Sequence, residues 1–254
     1  MAKKAIGIDI GGTGIKGALV DVKNGKLVGE RVRYETPEGG HPQDIATVVA
    51  KLIRDLGPVR ATLPVGVCFP AVVQHGRTMS AANVSKEWIG LDADGLFENT
   101  LQRHVHVLND ADAAGVAEVK FGAAKKRKGL VIMTTLGTGI GTALFMNGEL
   151  IPNAELGHLE IDGVDYETKA AYSAKERENL SFEDWAKRLQ KYYSTLERLF
   201  SPDLFIVGGG ISKQWEEFLP KLDLRTEILP ALKRNNAGIL GAAALAWKHS
   251  DKEI

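Results

Sequence analysis

Asp9 opens the segment with most chemistry in it: Ile6-Gly-Ile-Asp-Ile-Gly-Gly-Thr-Gly-Ile-Lys16, followed by the apolar run Ala18-Leu-Val20. A strand ends in a carboxylate, turns through glycines and runs into a second strand. Gly11, Gly12 and Gly14 carry no Cβ, so their backbone N–H groups stay open to phosphate oxygens. Thr13 adds a hydroxyl donor and Lys16 a positive charge, while Asp9 is placed to anchor a divalent cation riding on phosphates. Phosphoryl transfer is the chemistry this set of groups suits. Gly12-x-Gly14-x-x-Gly17 also fits a dinucleotide fingerprint, but that motif must open a helix. Here Ala18 to Val22 reads as a strand, Asn24-Gly25 as a turn and Leu27 to Tyr34 as another strand.

The same order recurs half a chain later. Gly129 to Leu136 reads as a strand, Gly137-Thr-Gly-Ile-Gly141 as a glycine turn, Thr142 to Met146 as a strand, and Asn147-Gly148 as a turn into Glu149–Ile151. Two related halves facing one another are expected, with a donor gripped by both turns. A third glycine turn, Gly208-Gly-Gly-Ile-Ser212, follows the strand Leu204–Val207 and precedes an expected helix. Asn109-Asp110 follows the alternating strand His104–Leu108 and starts a helix from Ala111 to Lys120. Asp110 there suits either an N-cap or a general base that takes a proton from an alcohol; Asp112, two residues on, reads as a first-turn dipole partner.

The remaining elements alternate as in an α/β fold. Pro42 to Leu56 carries apolar residues at helical spacing, Val65–Phe69 is a strand, and Phe182 to Phe200 is a helix capped by Ser181 with Asp184. Pro152 to Leu180 reads as an irregular polar stretch, and Gly238 to Trp247 as a helix with a small-residue face. Lys+Arg and Asp+Glu both total 32, so no charge excess argues for nucleic acid. The single cysteine, Cys68, permits no internal disulfide or multi-cysteine zinc site, and reads as a buried hydrophobe. No apolar run reaches membrane-spanning length and no secretory leader is seen, so a cytoplasmic protein is expected. Lys120 and Lys125-Lys-Arg-Lys128 form the dense basic cluster, read either as a solvated linker or as a hold for a long polyanion.

Asp9-Ile-Gly-Gly-Thr13, Asn109-Asp-Ala-Asp-Ala-Ala-Gly115, Leu136-Gly-Thr-Gly-Ile-Gly141, Glu155-Leu-Gly-His158 and Gly208-Gly-Gly-Ile-Ser212, in that order, resemble the ROK family of sugar kinases. The resemblance covers nearly the whole chain. It implies the actin-like, ribonuclease H-like α/β fold, with a first domain at 1–112 completed by a helix at 238–254, and a second at 113–237. It implies Asp110 as the base. It implies Asn83, Asn109, Asp110, Glu155, His158 and Glu167 as sugar contacts. Asp9, Gly11, Gly12, Thr13, Lys16, Thr138, Gly139, Gly209 and Gly210 would serve the donor, with Mg2+ held indirectly by Asp9. Many members follow Glu-x-Gly-His with a zinc-binding Cys-x-Cys…Cys cluster. Here Leu159-Glu-Ile-Asp-Gly163 follows instead, so that zinc is excluded for want of ligands. Glu160, Asp162 and Asp165 are the candidates to orient His158 in its place. This zinc-free form is similar to the polyphosphate glucokinase branch, which implies glucose as acceptor, mannose for some relatives, and polyphosphate or ATP as donor. The family often forms homodimers. The rival readings are a sugar-sensing protein without turnover and a hexose kinase using ATP only.

Overall fold

The computed structural model describes residues 3–250. The first unit's meander is β1 (Lys4–Ile10), β2 (Ile15–Asp21) and β3 (Lys26–Tyr34), followed by α1 (Pro42–Asp55) and β4 (Val65–Phe69). A short hairpin, β5 (Val73–Gln74) and β6 (Arg77–Thr78), precedes α2 (Ala93–Leu101), β7 (Val105–Asn109) and α3 (Asp110–Phe121). A second meander follows: β8 (Leu130–Leu136), β9 (Ile140–Met146) and β10 (Glu149–Ile151). Then come the hairpin β11 (Glu160–Ile161) and β12 (Val164–Asp165), α4 (Glu167–Ala170), α5 (Tyr172–Arg177) and α6 (Phe182–Phe200). The chain closes with β13 (Leu204–Gly208), β14 (Ile228–Pro230) and α7 (Ala237–Ser250).

Two compact units result, Met1–Ala117 with Asn235–Ile254, and Glu118–Arg234. Each is built on a five-stranded sheet, ordered β3-β2-β1-β4-β7 in the first and β10-β9-β8-β13-β14 in the second. In both, an antiparallel meander is extended on its first strand by two parallel strands. The topologies match strand for strand, as the recurring glycine turns lead one to expect.

In the first unit the inward side chains of β1 and β4, among them Ile6, Ile8, Val65 and Val67, pack with Val49 and Leu52 of α1 and with Trp88 and Phe97. The other face of the sheet takes α7. Its backbone comes so close that a Cβ on Gly7, Gly66 or Gly241 would collide with main-chain atoms of Ile239, Ala242 and Ala113 respectively. Gly7 and Gly66 let the alanine-rich helix pack backbone to backbone on the sheet, and Gly241 lets it approach α3 in the same way. In the second unit Trp185, Leu189, Tyr192 and Leu196 of α6 pack on Ile132, Leu144 and Phe205 of the sheet. Ser181 caps that helix, its Oγ accepting from the Asp184 N–H at 3.0 Å.

The stretch expected to be irregular contains the β11–β12 hairpin, α4 and α5. After β13 the chain winds into a 3-10 segment, Gly210–Glu217, rather than an α-helix. No described helix is long and apolar enough to cross a membrane.

Candidate active site

The parallel strands of the first unit bring their carboxyl ends to one edge, the side of an open α/β sheet where ligands bind. Register places Asp9 opposite Cys68, and Phe69 opposite Asn109. The first glycine turn is closed by the Gly11 N–H donating to the Gly14 carbonyl at 3.0 Å, leaving Gly12 and Thr13 exposed. Asp9 lies 3.7 Å from Lys16 Nζ, and the Cys68 thiol points at its Oδ1 from 3.6 Å. Burial first, then the charges of Asp9 and Asp110, hold that thiol well above its ordinary pKa. Cys68 is therefore a buried neutral group rather than a nucleophile.

Gly12 packs on Asn83: a Cβ there would sit 3.0 Å from the Asn83 Cβ. Asn83 itself adopts φ +60°, a left-handed conformation that asparagine tolerates better than most residues. The donor turn and the first expected sugar contact are thus neighbours. Beside them lies a cavity of about 340 Å³, lined by Gly12, Thr36, Glu38, Gly40 and Asn83 among others. Sequence reasoning missed its far wall. The Thr36 hydroxyl donates to the Gly11 carbonyl at 2.5 Å, and the indole of buried Trp88 donates to the Gly40 carbonyl at 2.9 Å. The paired glycines at 39 and 40, both at positive φ, were the available signal.

At the start of α3 the capping role falls to Asn109. Its Oδ1 accepts from the N–H groups of Ala111 (2.8 Å) and Asp112 (3.1 Å), while its amide donates to the Ala71 carbonyl at 3.1 Å. Asn109 is buried and positions the helix, which sets its expected role as a sugar contact beside a structural one. Asp110 stands in the first turn, exposed, with Oδ1 2.8 Å from the Ala111 N–H.

In the second unit the acidic and imidazole side chains gather around β9. The 3-10 turn Leu156–His158 rests on that strand because Gly157 has no Cβ; one would meet the Ile140 carbonyl. The Thr142 hydroxyl bonds to the Ala154 carbonyl and accepts from the Leu156 N–H at 3.0 Å. Tyr192 donates its hydroxyl to the Leu156 carbonyl at 3.1 Å. Of the three carboxylates considered as substitutes for zinc, Asp165 is the one on His158, with Oδ2 2.9 Å from Nδ1. Asp162 is taken by Lys191.

Asp165 also accepts from the Glu167 N–H at 3.2 Å, and Glu167 in turn accepts from the Ile140 N–H at 2.6 Å. Its carboxylate lies against Gly139, where any Cβ would clash with it. Glu167 therefore braces the second glycine turn from within the same cluster as Glu155 and His158. Ser173 holds that turn from the other side, its Oγ donating to the Thr138 carbonyl at 2.6 Å and its N–H to that of Gly137 at 3.0 Å. Gly209, at φ +85°, lies on the Leu136 backbone, so the third glycine turn abuts the second; Gly210 beside it is exposed.

The Asp165 hydrogen bond, then the charges of Glu167, Asp165 and Glu155, raise the His158 pKa against a smaller opposing effect of burial. Glu155, although exposed as a residue, has its carboxyl pKa raised by desolvation and by Glu167, with His158 opposing. The His158 value is raised by folding. The stabilisation it carries is therefore complete below the unfolded pKa and fades as pH rises through the folded one. Asp165→Asn is expected to lower the His158 pKa towards that of an ordinary histidine, read from the imidazole proton shifts in an NMR titration. An unmoved titration would show that the pair does not form in solution.

The basic cluster is less concentrated than its sequence suggests. Arg127 is paired with Glu227 at 2.7 Å. Residues 125–128 also precede β8, whereas the glycine turn follows it. Seven extended residues separate the two, about 20 Å at the usual strand rise. Only a long polyanion could reach both.

The ROK family model matches residues 5–173. A polyphosphate glucokinase of Mycobacterium tuberculosis is 45% identical over 242 residues, covering 95% of this chain and 90% of its own length. The crystal structure of an inorganic polyphosphate/ATP-glucomannokinase from Arthrobacter sp. strain KM is 55% identical, with a TM-score of 0.90 over 97% of this chain and 99% of that one. A ROK family glucokinase from Streptomyces griseus, solved with glucose and AMPPNP, shares the fold at 23% identity, TM-score 0.79, with 96% of this chain and 99% of that one covered. With the five motifs on these strands and turns, the chain belongs to the ROK family, on the actin-like α/β fold.

Proposed function

We propose that this protein is a glucokinase that moves a phosphoryl group from ATP or inorganic polyphosphate to the 6-hydroxyl of glucose. The observation that carries the reading is at the head of α3. Asn109 caps the helix, so the exposed Asp110 carboxylate beside it is placed to take the proton of an acceptor alcohol. Asn83, Asn109, Glu155, His158 and Glu167 supply the carboxylate, amide and imidazole groups that a ring of sugar hydroxyls needs. Gly11, Gly12, Thr13, Lys16, Thr138, Gly139, Gly209 and Gly210 supply the backbone N–H, hydroxyl and ammonium groups that suit donor phosphates. Mannose as a second acceptor is consistent with the name of the Arthrobacter relative.

Mg2+ fits the residues present. No group of three or more metal-ligating side chains occurs among the described residues. That suits an ion that keeps several waters and is held mainly by donor phosphates, with a single carboxylate in support. Asp9 would be that carboxylate. The ion would neutralise developing charge on the transferring phosphoryl group. The chain's own residues position and polarise: Asp110 accepts the proton, His158 and Glu155 orient the sugar, and the glycine turns hold the phosphates.

The test is turnover by purified protein at fixed glucose with each donor alone. Glucose 6-phosphate from ATP and from polyphosphate is expected. Sugar binding without product would identify a sensor, product from ATP alone an ATP-only hexose kinase, and ATP hydrolysis that ignores sugar an unrelated ATPase.

A further inference from the structure

We propose that Arg33 is a further phosphate-binding residue at the first glycine turn, gripping a condensed-phosphate chain with its guanidinium fork. The inference rests on the kinase reading above and adds a residue that none of the five motifs contains. Three observations support it.

The first is register. Asp9 of β1 pairs with Lys16 of β2, and Lys16 pairs with Arg33 of β3. Directly opposed residues of antiparallel strands share a face, about 5 Å apart. The meander thus sets a carboxylate and two cations in one row at the mouth of the turn. Asp9 and Lys16 are paired with each other, so the row keeps one positive charge in excess, on Arg33.

The second is partnership. Two neighbours of Arg33 on its own strand are committed elsewhere: Arg31 to Asn235 and Asn236, and the Tyr34 hydroxyl to Asp55. Among the described residues the Arg33 side chain makes no hydrogen bond or ion pair, and the residue is exposed.

The third is Gly14. A Cβ at that position would stand 3.1 Å from Arg33 Nε and 3.2 Å from Nη2. The absent side chain lets the guanidinium lie against the backbone of the turn whose Gly12 and Thr13 face solvent. A planar, permanently charged fork held there suits two oxygens of a phosphate, which an ammonium would meet only as a point charge.

The experiment compares Arg33→Ala and Arg33→Lys with the parent protein, using ATP and medium-chain polyphosphate as separate donors. Binding of tripolyphosphate is measured in parallel by calorimetry without glucose. Loss of a charge-assisted contact should raise donor KM and the tripolyphosphate Kd about 10- to 100-fold. Glucose KM should stay within about twofold, and lysine should recover part of the loss. An effect on both donors means the residue grips a phosphate that both present; an effect on polyphosphate alone places the contact beyond the reach of ATP. Unchanged donor KM and tripolyphosphate affinity would overturn the assignment, as would an equal rise in glucose KM. If the parent protein makes no glucose 6-phosphate, the kinase reading fails, while the tripolyphosphate arm still judges Arg33.

Discussion

Asp110→Asn is expected to lower kcat by about two to four orders of magnitude, the range for loss of a general base, while glucose still binds. The separation of the two effects follows from the geometry. Asparagine has the size of aspartate and keeps an oxygen for the Ala111 N–H. The cap itself rests on Asn109, whose side chain accepts from Ala111 and Asp112 and donates to Ala71. The helix start therefore survives the change, and the proton acceptor does not. A coupled assay for glucose 6-phosphate gives kcat, and calorimetry with glucose gives binding. Full activity in the variant would mean that another group takes the proton.

The largest expected effect on stability lies away from the site, under α7. Gly66→Ala places a methyl group against the carbonyl and carbonyl carbon of Ala242, atoms of the helix backbone that cannot rotate aside. Helix and sheet must separate locally. The cost should be at the upper end of overpacking, about 3 kcal/mol, or roughly 6–12 °C in Tm for a unit of this size. The matched control is Gly137→Ala, where nothing lies within 4 Å of the added Cβ and φ is not in the left-handed region. Its melting temperature should stay close to that of the parent. Equal losses at the two positions would contradict the backbone-to-backbone packing of α7 on the sheet.

Both meanders are legible because local signals coincide there: glycine turns, Asn-Gly turn pairs and apolar alternation mark every boundary. The α6 cap is legible for the same reason, since Ser181 and Asp184 are three residues apart. The 152–180 stretch is not. Its strands are two residues long and its helices four and six, too short for any period to show. The orienting partner of His158 depends on the register of that hairpin, which pairs Glu160 with Asp165 and turns Asp165 back to the imidazole. Three nearby carboxylates are equivalent by residue type until the fold selects one. Asn109 and Asp110 could each be the cap by the same criterion. Only the donor distances assign that task to Asn109. α2 is hard to read because a nine-residue helix with just two buried residues, Ala93 and Phe97, carries little periodicity.

The first unit is discontinuous in sequence: α7, from the far end of the chain, covers the sheet that β1 begins. On the ribosome, then, the opening strands emerge long before the helix that buries one of their faces. The second unit is continuous and can be finished in the meantime. Vectorial synthesis thus allows the second unit to close before the first, and β1 waits for α7 before its second face is sheltered from water.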